Sequence, residues 1–218
     1  MAQDSDRRSS LEASGLEASG ASGDSSRSWV HASAAASAAA ISDLAADSAA
    51  LDAVAAAADA LAEVLRRGGR VLAVGNGGSC AQAAHFAEEL SGRYRDNRAA
   101  LGAIACTDAS HLTCTANDFG YEAVFERWVR GLAREGDGLV ALTTSGNSAN
   151  VVAALGAARE IGMTSVGLLG GTGGACLPHC DHVLIAPGAG SDRIQEAHTL
   201  AIRLLVEGIA RALFPELY

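Results

Sequence analysis

Aromatic side chains make up only 4% of this 218-residue chain, although 49% of it is hydrophobic. A core short of large rings has to be filled by Ala, Val, Leu and Ile, which pack as closely stacked helix and sheet layers. Positive charge is scarce as well: 16 Lys and Arg face 25 Asp and Glu, for a formal net charge of −9. A surface that holds nucleic acid needs clustered cations, so no nucleic-acid partner is expected. Nor is there a run of about 18 uninterrupted apolar residues of the kind that spans a bilayer. Even the alanine-rich stretch from Ala32 to Ala62 is broken by Asp43, Asp47, Asp52 and Asp59, and no membrane partner is expected. The first residues are acids and arginines rather than the apolar segment of a secretory leader. The five cysteines, Cys80, Cys106, Cys114, Cys176 and Cys180, are an odd number and fit reduced thiols better than a disulfide framework. A cytoplasmic protein is the expectation.

The length suits one buried core. Residues 1 to about 27 hold Asp, Arg, Ser, Gly and a short repeat, Leu11-Glu-Ala-Ser-Gly then Leu16-Glu-Ala-Ser-Gly. Too few large apolar groups occur there to offset ordering entropy, and a disordered tail is expected. The remainder, 28–218, reads as one domain that opens with a helical segment at about 28–67. Within that segment Ile41, Leu44, Leu51, Val54, Leu61 and Leu65 recur at helical spacing, and Ser42 or Asp47 can cap a break, leaving one helix or two. Beyond Gly69, five short apolar runs have the size of buried strands: Arg70 to Val74, Leu101 to Ala105, Gly138 to Thr143, Ser165 to Leu169 and His182 to Ala186. Helical stretches at about 79–92, 121–134, 148–161 and 191–213 alternate with them. That order predicts an α/β fold, a three-layer αβα sandwich around a five-stranded parallel sheet.

Two loops have the chemistry to hold an anion. Gly75-Asn76-Gly77-Gly78-Ser79 leaves the first strand and opens a helix, so backbone can approach a ligand closely and free amides face it. Ser79 followed by Gln82 also matches a capping box. Thr143-Thr144-Ser145-Gly146-Asn147-Ser148 repeats the arrangement with four hydroxyls, a phosphate cradle that needs no Lys or Arg. Two such loops at the carboxyl ends of parallel strands point to a ligand site more strongly than either alone.

His85 and Glu89 share a helix face at i, i+4 and read as a metal pair, an acid/base pair or an exposed salt contact; Glu88 reads as solvent-facing. Asp192, Gln195 and His198 open the last helix, either facing a site or forming a solvated first turn. Cys176, His179, Cys180 and His182 cluster, but without the paired spacing of zinc knuckles they read as loop residues.

Taken in order, Gly75-Asn-Gly-Gly-Ser79, His85-Phe-Ala-Glu-Glu89-Leu-Ser-Gly-Arg-Tyr94, Asn117-Asp-Phe-Gly120, Thr144-Ser-Gly-Asn-Ser148-Ala-Asn-Val151 and Asp192-Arg-Ile-Gln195-Glu-Ala-His198 resemble the phosphoheptose isomerases of the sugar-isomerase (SIS) domain group. The resemblance runs from about Ala46 to the C-terminus. It implies conversion of sedoheptulose 7-phosphate to a heptose 7-phosphate, D-glycero-D-manno-heptose 7-phosphate, in a homotetramer with active sites where subunits meet. By matched position it implies that Thr143, Thr144, Ser145 and Ser148 hold the phosphate. Asn76, Gly77, Gly78, Asn117, Asp118 and Gln195 would contact the sugar, with Ser79 and Asp192 as neighbours. It makes Glu89 the acid/base group, and His85, Glu89 and Gln195 ligands of a zinc ion.

One position departs from that pattern. Eight residues after Gln195 the family has a second histidine, a zinc ligand and catalytic partner, where this chain has Arg203. Arginine neither ligates zinc nor acts as a base near neutral pH. His198 is the other histidine within reach in sequence and is a catalytic candidate, although i+3 and i+8 point about 140° apart around a helix. Two further functions stay open on the sequence: a non-catalytic SIS-fold scaffold of the replication-initiator-associating type, and an isomerase of another sugar phosphate.

Overall fold

The computed structural model describes residues 23–218. The tail expected at residues 1 to about 27 lies, up to residue 22, outside the described residues, and the first helix starts at Gly23. The chain divides into a unit ending at Ala35 and a second unit, Ala36–Tyr218, that contains the whole sheet.

Two helices precede the sheet, α1 (Gly23–Ala46) and α2 (Ser48–Arg66). Of the two residues able to break the helical segment, Asp47 does so: its side chain accepts from the Ala50 amide at 3.0 Å and caps α2. Then follow β1 (Val71–Gly75), α3 (Gly78–Ser91), β2 (Ala103–Ala105), α4 (Ala109–Phe119), α5 (Val124–Leu132), β3 (Gly138–Thr143), α6 (Ala149–Ile161), β4 (Thr164–Leu169), β5 (His182–Ile185) and α7 (Ser191–Leu213). Helix α4 was not expected from the sequence. Its Thr, Ser, His and Asn residues give little apolar periodicity, and only Thr115 is buried.

All neighbouring strands pair in parallel, in the order β2-β1-β3-β4-β5. Alternation along each strand explains why the runs look uniformly apolar. Val71 and Ala73, with Val140, Leu142, Val166 and Leu168, face a core built with Phe86 of α3, Leu61 of α2 and Ile202 and Leu205 of α7. Leu72 and Val74, with Leu139 and Ala141, face the second core, of Phe125 and Trp128 of α5 and Val151 and Leu155 of α6. Both sheet faces are therefore covered, as a parallel sheet requires. The shortage of rings is met by close approach: a Cβ at Gly208 of α7 would lie 2.7 Å from Ala58 Cβ of α2.

Strand order decides where a ligand can bind. The chain runs outward from β1 to β2, then returns past β1 to β3 and continues to β4 and β5. The order reverses between β1 and β3, and there the two loops leaving those strands open a crevice at their carboxyl ends.

Candidate functional site

The β1–α3 loop is shaped by Gly77, whose φ of +54° suits glycine and not L side chains. A Cβ at Gly78 would lie 2.6–2.7 Å from the Gln195 amide, so glycine here lets α7 lay Gln195 over the start of α3. The expected capping box is not formed. Gly77 occupies the cap without a side-chain bond, and Gln82 instead donates to Gln195 O at 2.6 Å and Thr199 Oγ1 at 2.8 Å, tying α3 to α7.

In the β3–α6 loop three hydroxyls cluster around that of Thr143. Thr143 Oγ1 lies 3.3 Å from Ser145 Oγ and 3.1 Å from Ser148 Oγ, and Ser145 Oγ accepts from the Asn147 amide at 3.1 Å. Ser148 is the cap residue of α6, but its hydroxyl makes no capping bond and meets Thr143 Oγ1 instead. Asn76, Ser79, Leu142, Thr143, Thr144, Ser145, Ser148 and Gln195 line a cavity of about 80 Å³ at this point. No cation lines it, so an oxyanion here would be held by hydroxyls, amides and the positive end of α6.

The two loops are locked together by Asn150, a residue quoted in the sequence motifs without a role. It is 3% exposed, and its amide exchanges two hydrogen bonds of 2.9 Å with the Asn76 amide. Tyr121 O–H also donates to Asn76 Oδ1, at 2.8 Å. An Asn in the otherwise apolar first turn of α6 was the available signal for the former; Tyr121 carried none.

Other expected site residues lie elsewhere in the protomer. Asn117 and Asp118 end α4, exposed and hydrogen-bonded to each other at 2.8 Å. Asp192 pairs with Arg193 at 3.0 Å, and a hydrogen bond from the Arg193 backbone holds its carboxyl below the usual range. His198 corrects its candidacy as a catalytic group: it has no exposed surface, and its Nε2 meets Leu169 O at 3.2 Å. Burial pushes its pKa down to about 4. Unfolded, the ring would titrate near 6.5, so between those values the unfolded chain binds the extra proton and stability rises with pH. The neutral ring's contribution is thus whole above about 6.5 and lost as pH falls toward 4, of order 3 kcal/mol at most. Denaturant unfolding at pH 7 and pH 5 should show about 2 kcal/mol of that loss, and a His198→Gln variant should flatten it; an equal pH slope in the variant would contradict the assignment.

Glu89 forms a second group on the last turns of α3. Although only 7% exposed, it is ionically satisfied: His85 Nε2 lies 3.1 Å from Oε1, and Arg203 Nη1 donates to the same oxygen. Arg98 donates to Glu89 O at 2.6 Å and Leu90 O at 2.9 Å, satisfying the helix end. Glu88 is exposed, as expected. Helices α3 and α7 run side by side, Gln82 meeting Gln195 and Thr199, and Glu89 meeting Arg203. Ser79, which lines the cavity, and Glu89 are ten residues apart, ~15 Å along the axis of α3. Gln195 likewise stands ~12 Å from Arg203 along α7. Of the expected ligands, His85 and Glu89 meet at 3.1 Å, while the Gln195 amide lies over Gly78 at the start of the same helix.

A zinc ion fits these residues poorly. Donor atoms of His85, Glu88 and Glu89 do lie within 4.8 Å of one another. Yet one oxygen of the Glu89 carboxylate is held by a guanidinium, whose fixed positive charge beside the group opposes a divalent ion. The cysteine cluster offers no alternative. Cys180 donates to Cys176 O at 3.4 Å, and burial raises the two thiols to about 12 and about 11, far from the thiolate a metal requires.

Residues 34–170 match the family model of the SIS domain. The chain is 46% identical over 161 residues to a phosphoheptose isomerase of Fusobacterium nucleatum, covering 74% of this chain and 83% of that one. It is 49% identical over 156 residues to the phosphoheptose isomerase of Proteus mirabilis, covering 71% and 81%. The solved phosphoheptose isomerase of Neisseria gonorrhoeae superposes with a TM-score of 0.78 at 38% identity, over 84% of this chain and 97% of that one. No helix among the described residues is long and apolar enough to cross a membrane. The chain belongs to the SIS domain family and, within it, to the phosphoheptose isomerases.

Proposed function

We propose that the chain is a ketose–aldose isomerase acting on sedoheptulose 7-phosphate. The observation that carries this reading is the cluster of Thr143, Ser145 and Ser148 hydroxyls at the β1/β3 switch point, which suits a phosphoryl group, in a chain that retains the Glu89 carboxylate. The identities to named phosphoheptose isomerases support the substrate.

The chemistry asked of the residues is a proton transfer between adjacent carbons. Glu89 takes the C1 proton; the C–H electron pair forms the C1=C2 bond, and the C2 oxygen becomes an enediolate and accepts a proton. The O1 proton then leaves as C1=O forms, and the proton held by the carboxylate returns to C2. No electron acceptor is needed. Because His85 and Arg203 both engage Oε1, Oε2 is the carboxylate oxygen without a partner among the described residues and is the one assigned to the carbon-bound proton.

A cavity of about 80 Å³ takes the phosphoryl end alone, since whole-ligand pockets run to roughly 300–1,000 Å³. Together with the ~15 Å of α3 between Ser79 and Glu89, this supports a site completed by a second copy, in which the hydroxyl cluster of one subunit faces the Glu89 group of another, as in a homotetramer.

Purified protein incubated with sedoheptulose 7-phosphate in D₂O should yield an aldose 7-phosphate, read by NMR, with deuterium at C2 to the extent that the carboxylate proton exchanges with solvent before it returns. Absence of product with the ligand still bound, with or without added Zn²⁺, would leave a sugar-phosphate-binding protein instead.

A further inference from the structure

The charge that develops on the substrate oxygens during proton transfer has to be met by a fixed positive group. None lines the hydroxyl cleft. Arg203 is the cation placed beside the proton-carrying carboxylate. Nη1 holds Glu89 Oε1 opposite His85, and the side chain is 45% exposed. Its remaining N–H donors have no protein partner among the described residues.

We propose that Arg203 replaces the metal in this chain: the guanidinium keeps a divalent ion off the His85–Glu89 pair and itself supplies the positive charge beside the reacting oxygens, so isomerisation needs no metal. This rests on the isomerase reading above, and it departs from the histidine that the resemblance places at the position. A guanidinium and a metal ion would compete for the charge of one carboxylate, and the arginine is tethered there. Unlike a metal, it cannot be removed by a chelator, and its planar donors can bond a carboxylate and an enediolate oxygen together.

The test uses the full-length protein treated with EDTA and dialysed, then assayed with and without Zn²⁺, with bound zinc counted by elemental mass spectrometry. Wild-type turnover is expected to change by less than about twofold between the two conditions. Wild type should carry no zinc that a His85→Ala substitution removes. Arg203→His should gain about one zinc per chain, lost again in the Arg203→His, His85→Ala double variant. Arg203→Gln should lose kcat by about 10²-fold with KM within about threefold, unrestored by Zn²⁺. A wild type that loses turnover on chelation and regains it with Zn²⁺, or that carries a His85-dependent zinc, would overturn the proposal and leave the isomerase reading intact. A wild type inactive in both conditions would overturn the isomerase reading and the catalytic half of the proposal. The zinc counts of wild type and Arg203→His would still decide whether the guanidinium excludes the metal.

Discussion

Glu89→Gln is expected to lower turnover of sedoheptulose 7-phosphate by a factor of ~10²–10⁴ while leaving its binding nearly unchanged, because the amide keeps the shape of the carboxylate but cannot carry a proton. The exchange leaves the hydroxyls and amides of the β3–α6 loop untouched. Folding should survive. A Gln Oε1 still accepts from Arg203, whose half-exposed guanidinium remains solvated, so the lost ion pair costs little stability. Steady-state kinetics give kcat, and calorimetry with the unreacted sugar phosphate gives affinity. If the variant kept more than about a tenth of wild-type kcat, some other group would have to move the proton.

The second large effect is expected at Gly146, where substitution by Ala should weaken sugar-phosphate binding by tenfold or more, roughly the consequence of 1–2 kcal/mol of left-handed backbone strain alone. Its φ is +66°, and a Cβ would fall 2.2 Å from Gly173 O and 2.4 Å from Gly173 C, backbone atoms that cannot swing aside. Cys176 N also donates to Gly146 O at 2.9 Å, so the β3–α6 loop and the segment after β4 would have to separate together. The Ser145 and Ser148 hydroxyls would lose their mutual placement. Gly131→Ala is the control: it lies in α5 with nothing within 4 Å of an added Cβ, and there Ala should leave binding intact and raise stability by about 0.5–1 kcal/mol. Equal affinities for wild type and Gly146→Ala would show that the loop is not the phosphate cradle.

Much of this molecule is legible in its sequence. Five strand-sized apolar runs alternating with helical stretches specified a parallel sheet covered on both faces, because only full burial lets a strand dispense with polar alternation. Asp47 was one of two residues able to end a helix, and it did so by the side-chain bond that made it a candidate. The hydroxyls of Thr143, Ser145 and Ser148 were found by type and spacing, since a strand end followed by a helix start fixes where they point.

Helix α4 escaped because an exposed helix needs no apolar stripe. Asn150 and Gln82 escaped for a related reason: each bonds a partner far off in sequence, Asn76 and Gln195, and pattern within one segment says nothing about the neighbour a fold supplies. His198 looked like a site residue and became core, because helix phase turned it toward Leu169. Arg203 was visible as a departure, but its consequence was not. The pairing with Glu89 arises from α3 and α7 lying side by side, and that packing decides which oxygen of the carboxylate is taken and which is left. The sequence by itself determined the layers, the loops and the residue types at the site, all local properties of a chain with period 2 or 3.6. The tertiary structure alone decided their partners: long-range contacts are chosen by how whole helices pack, and no window of sequence encodes a distance between two of them.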